Sequence, residues 1–311
     1  MPEISVLISA YNAEEYIGQA IQSVLSQTFS DFELIIINDG SIDGTEKVVS
    51  EFKDDRIKYY SQINQGVSKS LNRGLALASG KYIAKLDADD ICYPNRFEKQ
   101  YKFMEDNPSY AVCGSCTDVI DEVGDYIYTY NDIPTTNEEI QKQFKYKNCI
   151  VHSSSFYKRE NAISIGGYYE PIKQYFEDFM FFYNIIKTGN AYNFSEPLIK
   201  YRVTPGSIST RTNNVRYNKL VLDVIHRGYI TDSEKEILFT YRNKKAKKHI
   251  QLSNHYLALS RLVFTYQNNY YKANIYFIKS IRANLFNVNI PISFFYMLYF
   301  YLFKRRDDKN N

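Results

Sequence analysis

Gly80-Lys81-Tyr82-Ile83-Ala84-Lys85-Leu86-Asp87-Ala88-Asp89-Asp90 carries an apolar-leaning strand straight into a cluster of carboxylates. Hydrophobic strands of open α/β sheets end at the edge where ligands bind, so acids just beyond such an end face a site rather than a core. Asp87 and Asp89, one residue apart, are hard oxygen ligands of the kind that Mg2+ or Mn2+ takes in ones and twos, together with the oxygens of a bound diphosphate. The plainer reading is that Asp90 caps the helix starting near Asn95 and that Asp87 and Asp89 are solvated loop acids.

Working outward, strand and helix signals alternate in the manner of βαβ units. Ile4 to Ile8 reads as a buried strand and Glu14 to Gln27 as a helix spaced through Ile17, Ile21, Val24 and Leu25. Strands at Phe32–Ile37, Ile57–Tyr60 and Tyr82–Leu86 interleave with helices at Thr45–Phe52 and Val67–Ala78. The expected fold class is therefore α/β, with a mostly parallel, Rossmann-like sheet flanked by helices. Parallel strands end on one side, which lets Tyr11-Asn12, Asp39 and Asp87-Asp89 converge. A helix at Asn95–Asn107, a strand at Tyr110–Cys113 and a hairpin across Asp118–Tyr130, turning at Val123-Gly124-Asp125, follow. A short helix at Phe179–Lys187 is introduced by Phe176-Glu177-Asp178, and Tyr192–Tyr201 is extended around Pro197. Helix periodicity takes over near Thr210. The expected division is a catalytic domain over 1–210 and a helical region over 211–311.

The formal net charge of +3 is too small to imply nucleic-acid binding, and the one dense basic run, Arg242 to Lys248, lies far from the carboxylates. Cys92, Cys113, Cys116 and Cys149 come without a signal peptide, since Met1-Pro2-Glu3 leads directly into a strand pattern, and the expected compartment is the reducing cytoplasm. Cys113-Gly-Ser-Cys116 has zinc-like spacing but lacks a second ligand pair, so packing in a strand is expected.

Several motifs occur in fixed order: Ile4-Ser-Val-Leu-Ile-Ser-Ala-Tyr-Asn12, Ser23-Val-Leu-Ser-Gln-Thr28, Ile37-Asn-Asp-Gly-Ser-Ile-Asp-Gly-Thr45, Asn64-Gln-Gly-Val67, Leu71-Asn-Arg-Gly74, Ala78-Ser-Gly80 and Leu86-Asp-Ala-Asp-Asp90. His152-Ser-Ser, Gly166-Gly-Tyr168, Phe176-Glu-Asp178 and Tyr201-Arg202 continue them to about residue 210. Over two thirds of its length the chain resembles glycosyltransferase family 2. The resemblance implies a GT-A fold, a nucleotide-diphosphate sugar donor, a divalent cation (Mn2+ or Mg2+) and inversion at the anomeric carbon.

By resemblance, Asp39 is similar in position to the family's base-binding aspartate, with Ala10, Tyr11, Asn12 and Glu14 lining the same pocket. Asp87 then approaches the ribose, Ala88 belongs to the nucleotide-sugar site, and Asp89, with Asp87, holds the metal. An Asx-turn acid is the local alternative for Asp39. Asp178 looks like the base that deprotonates the acceptor, although acids at a helix start also cap free N–H groups, which covers both Glu177 and Asp178. Glu177, His152 and Arg202 are candidate acceptor or diphosphate contacts, with a satisfied structural histidine as the alternative for His152. Lys69 is a candidate phosphate contact, whereas Arg73 fits a solvated helix face. One departure stands out: Thr204 occupies a place where many relatives carry a histidine near the diphosphate. A chain without tryptophan also lacks the Gln-x-x-Arg-Trp motif of the processive synthases. Addition of one sugar per encounter is expected, with a UDP-sugar as donor and a saccharide or polyprenyl-diphosphate-linked glycan of a bacterial surface polysaccharide as acceptor.

In the C-terminal third, Ile290 to Phe303 is apolar for about fourteen residues and is followed by Lys304-Arg305-Arg306. That is short of a membrane span and suits an interfacial anchor on an anionic membrane, at the inner face of the plasma membrane. A helix packed internally, or a homodimer contact, is the alternative. A sugar nucleotidyltransferase would share much of the fold but needs a Gly-rich loop after the first strand, where Ser9-Ala10-Tyr11-Asn12 offers none. An inactive sugar-nucleotide binder is the non-enzyme alternative, separated by its failure to turn over.

Overall fold

A computed structural model describes residues 1–172, 176–205, 215–243, 248–267 and 269–307. The first half alternates as expected: β1 (Ile4–Ala10), α1 (Ile17–Leu25), β2 (Phe32–Asn38), α2 (Thr45–Ser50), β3 (Ile57–Ser61), α3 (Val67–Leu77) and β4 (Tyr82–Lys85). β5 (Ile91–Cys92), α4 (Arg96–Asp106), β6 (Tyr110–Ile120), β7 (Tyr126–Tyr130), α5 (Asn137–Gln143), β8 (Phe156–Lys158), α6 (Arg159–Ser164), α7 (Glu177–Ile185) and β9 (Asn190–Arg202) follow. The rest is helical: α8 (Val215–Arg227), α9 (Asp232–Asn243), α10 (Lys248–Leu262), α11 (Tyr270–Ala283) and α12 (Asn289–Asp307).

The strands form one mixed sheet in the order β3-β2-β1-β4-β8-β6-β9-β5, with β7 paired to β6. β3, β2, β1 and β4 are mutually parallel, and β8 then runs antiparallel to both β4 and β6. β1 and β2 are the near-continuous apolar runs that a parallel strand covered on both faces requires. Ile4, Val6, Ile8, Leu34 and Ile36 lie fully inside and pack with Ile17, Ile21 and Val24 of α1. Register sets the site edge. Ala10 pairs with Asn38, while β4 pairs Lys85 with Leu7 and stops there, so three loops open at neighbouring strand ends.

The chain packs as two compact units. The first comprises residues 1–117, 129–201 and 215–236, and the second 118–128, 202–214 and 237–311. In the second, α10 and α11 pack together with the turn after β6, where the Tyr276 hydroxyl donates to Asp121 and Lys272 pairs with Asp125.

The sequence motif at Cys113 and Cys116 lies inside β6, which is longer than its apolar start suggests, and all four cysteines are buried free thiols. Asp90 does not cap the helix after it. Asn95 holds the N-cap position of α4, and β5 intervenes. Among the described residues, no helix is long and apolar enough to cross a membrane. Lys244–Lys247 of the basic run lie outside the described residues, as do the side chains of Lys304-Arg305-Arg306.

Candidate active site

The loop after β1 is tied to the loop after β2. Asn12, at φ +49°, donates its backbone N–H to Ser41 Oγ (2.9 Å) and accepts from the Ile42 N–H (2.9 Å). Asparagine tolerates this left-handed conformation better than other side chains. Ala13 N–H donates to Thr45 Oγ1 and Glu14 N–H to Asp43. Glu14 Oε2 in turn accepts from the Gly44 N–H at 2.6 Å, so its carboxylate closes this clasp between the loops. The clasp also explains why α1 begins at Ile17 and not at Glu14. Ala10 is buried at the end of β1, and Tyr11 stands half exposed beyond it.

Asp39 is buried at the end of β2 and accepts three hydrogen bonds: from Gln62 Nε2 (2.8 Å) and Gln65 N–H (2.9 Å) on one oxygen, and from Gly66 N–H (2.8 Å) on the other. The amides open α3, whose positive dipole end favours a carboxylate there. It is not a local Asx-turn acid. A carboxylate has about four acceptor positions, so capacity for one further donor is left. Lys69 is exposed in the first turn of α3, and Arg73 donates to Gln62 Oε1 and the Ser61 carbonyl.

Beyond β4, Lys85 is fully buried and donates to Asp87 Oδ1 at 2.6 Å and to the Leu86 carbonyl. Burial alone would raise the Asp87 carboxyl, but the Lys85 ammonium outweighs it and holds the group below the usual carboxylate range. The Asp87 N–H is fixed by Ser153 Oγ. Ala88 is buried, Asp89 is half-buried, and Arg96, wholly inside, bridges the carbonyls of Lys85 and Ser155.

Asp178 stands in the first turn of α7. Its Oδ2 accepts from Asn148 Nδ2 (2.8 Å) and its Oδ1 from the Phe179 N–H (2.7 Å). Burial, and then the negative charge of Asp87, push its carboxyl up to about 6 against those two hydrogen bonds. The two carboxyls are therefore near enough for their charges to interact. His152 shares a hydrogen bond of 3.0 Å between Nε2 and the Tyr168 hydroxyl, which lies 3.3 Å from that of Tyr157. Burial and the Lys85 charge lower His152 to about 3, so at neutral pH it is an uncharged imidazole. Tyr168 stacks on Phe181 of α7 with ring centroids 4.2 Å apart. A cleft of about 380 Å³ opens beside it, lined by Asn72, Glu170, Met180 and Asn184 among others.

Glu177 is half-buried beside Asp178. Arg202 stands at the end of β9. It is buried and donates to the Asp121 and Glu122 carbonyls of the β6–β7 turn. Sequence reasoning missed Lys85, Asn148, Ser153 and Tyr168 as parts of the site. Ser153 and Tyr168 do lie within quoted motifs, and Lys85 left a signal of its own, a lysine inside an apolar strand two residues before an aspartate.

Among the described residues, no three His, Cys, Asp or Glu side chains gather as a metal-ligand group. Asp87 and Asp89 offer two carboxylates, with one Asp87 oxygen already paired to Lys85. Such a set fits a hard cation that completes its shell with diphosphate oxygens and water.

Residues 5–166 match the family described as Glycosyl transferase family 2. An uncharacterized glycosyltransferase of Haemophilus influenzae is 35% identical over 228 residues, covering 68% of this chain and 69% of the relative. The amylovoran biosynthesis glycosyltransferase AmsE of Erwinia amylovora is 29% identical over 238 residues, with 73% and 88% covered. In shape, the crystal structure of S. aureus TarS 1-349 in complex with UDP-GlcNAc aligns with a TM-score of 0.59 at 17% identity, over 90% of this chain and 89% of that one. The matched span holds the three strand-end loops and the whole Lys85–Asp90 turn, and with it the chain belongs to glycosyltransferase family 2, as a glycosyltransferase of GT-A fold.

Proposed function

We propose that the protein transfers one sugar, with inversion, from a UDP-linked donor to a hydroxyl of a saccharide or lipid-linked glycan during synthesis of a surface polysaccharide. The observation that carries the reading is a pair of aspartates whose charges interact: Asp87, held ionised by Lys85, and Asp178, held by Asn148 with its carboxyl near 6. The UDP-GlcNAc bound in the TarS structure supports the donor class, and the amylovoran role in the name AmsE supports the acceptor class.

In this mechanism, Asp39 and the clasped loops at Asn12 hold the nucleoside. Asp87 and Asp89 would hold Mn2+ or Mg2+, which supplies charge stabilisation to the departing diphosphate. Asp178 is mostly ionised at neutral pH, and each of its oxygens keeps a lone pair beyond the bond it already accepts. It takes the acceptor hydroxyl proton as that oxygen bonds to the anomeric carbon, on the face opposite the breaking bond to phosphate. A carboxyl near 6 is a stronger base than an ordinary one, and its poise close to working pH suits proton transfer. Neutral His152, fixed by Tyr168, borders the site without adding a charge that would compete with Lys85 for Asp87.

The test is a screen of UDP-sugars with Mn2+ and candidate saccharide acceptors, reading UDP release and the anomeric configuration of the product by NMR. An α-linked donor is expected to yield a β-linked product. A retained configuration, or nucleotide binding with no turnover on any acceptor extract, contradicts the reading.

A further inference from the structure

The turn joining α11 to α12 is built to display apolar side chains. Leu285, Phe286 and Val288 project into solvent, with Phe286 89% and Val288 79% exposed. Between them Asn287 is buried. Its amide donates to Ser253 Oγ (2.8 Å) and Asn254 Oδ1 (2.8 Å), and its Oδ1 accepts from the Asn289 N–H (3.0 Å). The Phe286 N–H is bonded to Asn284 Oδ1, and the Ile290 N–H to the Asn287 carbonyl. A polar frame thus orders the turn while turning its hydrophobic side chains outward. The start of α12 continues the surface: only Ser293 and Met297, one helical turn apart, are buried, while Ile292, Phe294, Phe295, Tyr296 and Leu298 are exposed.

Charge tells what covers this surface. Residues 1–236 hold 25 Lys and Arg against 33 Asp and Glu, whereas 237–311 hold 13 against two. The modest net charge of the whole chain hides this asymmetry. Exposed Arg282 lies one turn before the apolar corner. A second copy would bring one positive segment against another and be repelled. An anionic bilayer offers both a negative surface and an apolar interior. We propose that the α11–α12 turn, with the exposed face of α12, inserts into the surface of an anionic membrane. Leu285, Phe286 and Val288 form its tip. The interfacial anchor expected from Ile290 to Arg306 is thereby extended to a corner whose side chains are described.

The chain has no tryptophan, so Phe286→Trp makes a local reporter. With full-length protein and vesicles of phosphatidylcholine containing phosphatidylglycerol, its emission should shift to the blue and be quenched by brominated acyl chains. A tryptophan placed by Tyr146→Trp, at an exposed position of the other unit, should not respond. The triple substitution Leu285→Ser, Phe286→Ser, Val288→Ser should leave the circular dichroism unchanged and lower vesicle partitioning about tenfold or more, and the unsubstituted protein should bind pure phosphatidylcholine far more weakly. An unmoved Phe286→Trp reporter, or unchanged partitioning of the triple variant, overturns the proposal. So does a reporter shift that follows protein concentration without lipid, which would assign the face to self-association. None of these readouts depends on sugar transfer.

Discussion

Asp39 shows how one carboxylate serves both the fold and the site. Two backbone amides and Gln62 already engage it, and they order the loop that opens α3. Asparagine would keep one acceptor oxygen and turn an NH2 group toward N–H donors, a mismatch costing about 1–3 kcal/mol. Asp39→Asn is therefore expected to lower the melting temperature by several degrees and to weaken UDP binding at least about tenfold. Scanning calorimetry and titration calorimetry check the two effects, and loss of UDP binding with an unchanged melting temperature would mean that the loop does not depend on Asp39. Residue types at strand ends were readable in the sequence because acids there have little structural reason to cluster. Their partners were not. Asn148 lies 30 residues from the aspartate it serves and Tyr168 lies 16 from His152, and only the fold brings each pair together.

At the scale of elements, Glu33 is a charged residue in the middle of the parallel sheet. It is buried in β2 and accepts from Ser5 Oγ of β1 (2.6 Å) and from the Ser79 N–H and hydroxyl before β4, while Lys58 of β3 pairs with its other oxygen. Burial would raise its carboxyl, but Lys58, Ser5 and Ser79 outweigh it and lower the group from 4.5 to about 2. The folded value lies below the unfolded one, so the stabilisation is present above pH 4.5 and is lost as pH falls from there through about 2. A shift of that size corresponds to about 3 kcal/mol. Glu33→Gln should be less stable than wild type at pH 7, and the difference should shrink toward pH 2.5. Urea midpoints at the two pH values decide it, and a gap that stays constant with pH would contradict the assignment. Next to it, Gly80 brings the chain so close to β1 that a Cβ would sit 2.6 Å from the Ser5 nitrogen. The long apolar strands and periodic helices were legible because burial on both faces or on one stripe leaves a pattern. β5 and β8, of two and three residues, are too short to leave one.

For the whole molecule, the α/β alternation and the convergence of three loops at one sheet edge could be read from the first 90 residues. The interleaving of the two units could not, because residues 118–128 join the C-terminal helices through Asp121 and Asp125, contacts without any sequence periodicity. The hydrogen bonds of Arg202 to the β6–β7 turn were not legible for the same reason, since they depend on a segment 80 residues earlier. The central claim is that two separate duties meet in one space, donor retention at Asp39, Asp87 and Asp89, and proton removal at Asp178. Its most direct test is Asp178→Asn, measured for UDP-sugar affinity by calorimetry and for transfer rate under the same conditions. Asparagine keeps the size of the side chain and much of its capping ability, so α7 should start as before. Loss of the base should slow turnover by roughly 100-fold to 10,000-fold while donor affinity stays within about threefold of wild type. Transfer at the wild-type rate, or failure to bind donor, would contradict the account and turn attention to Glu177.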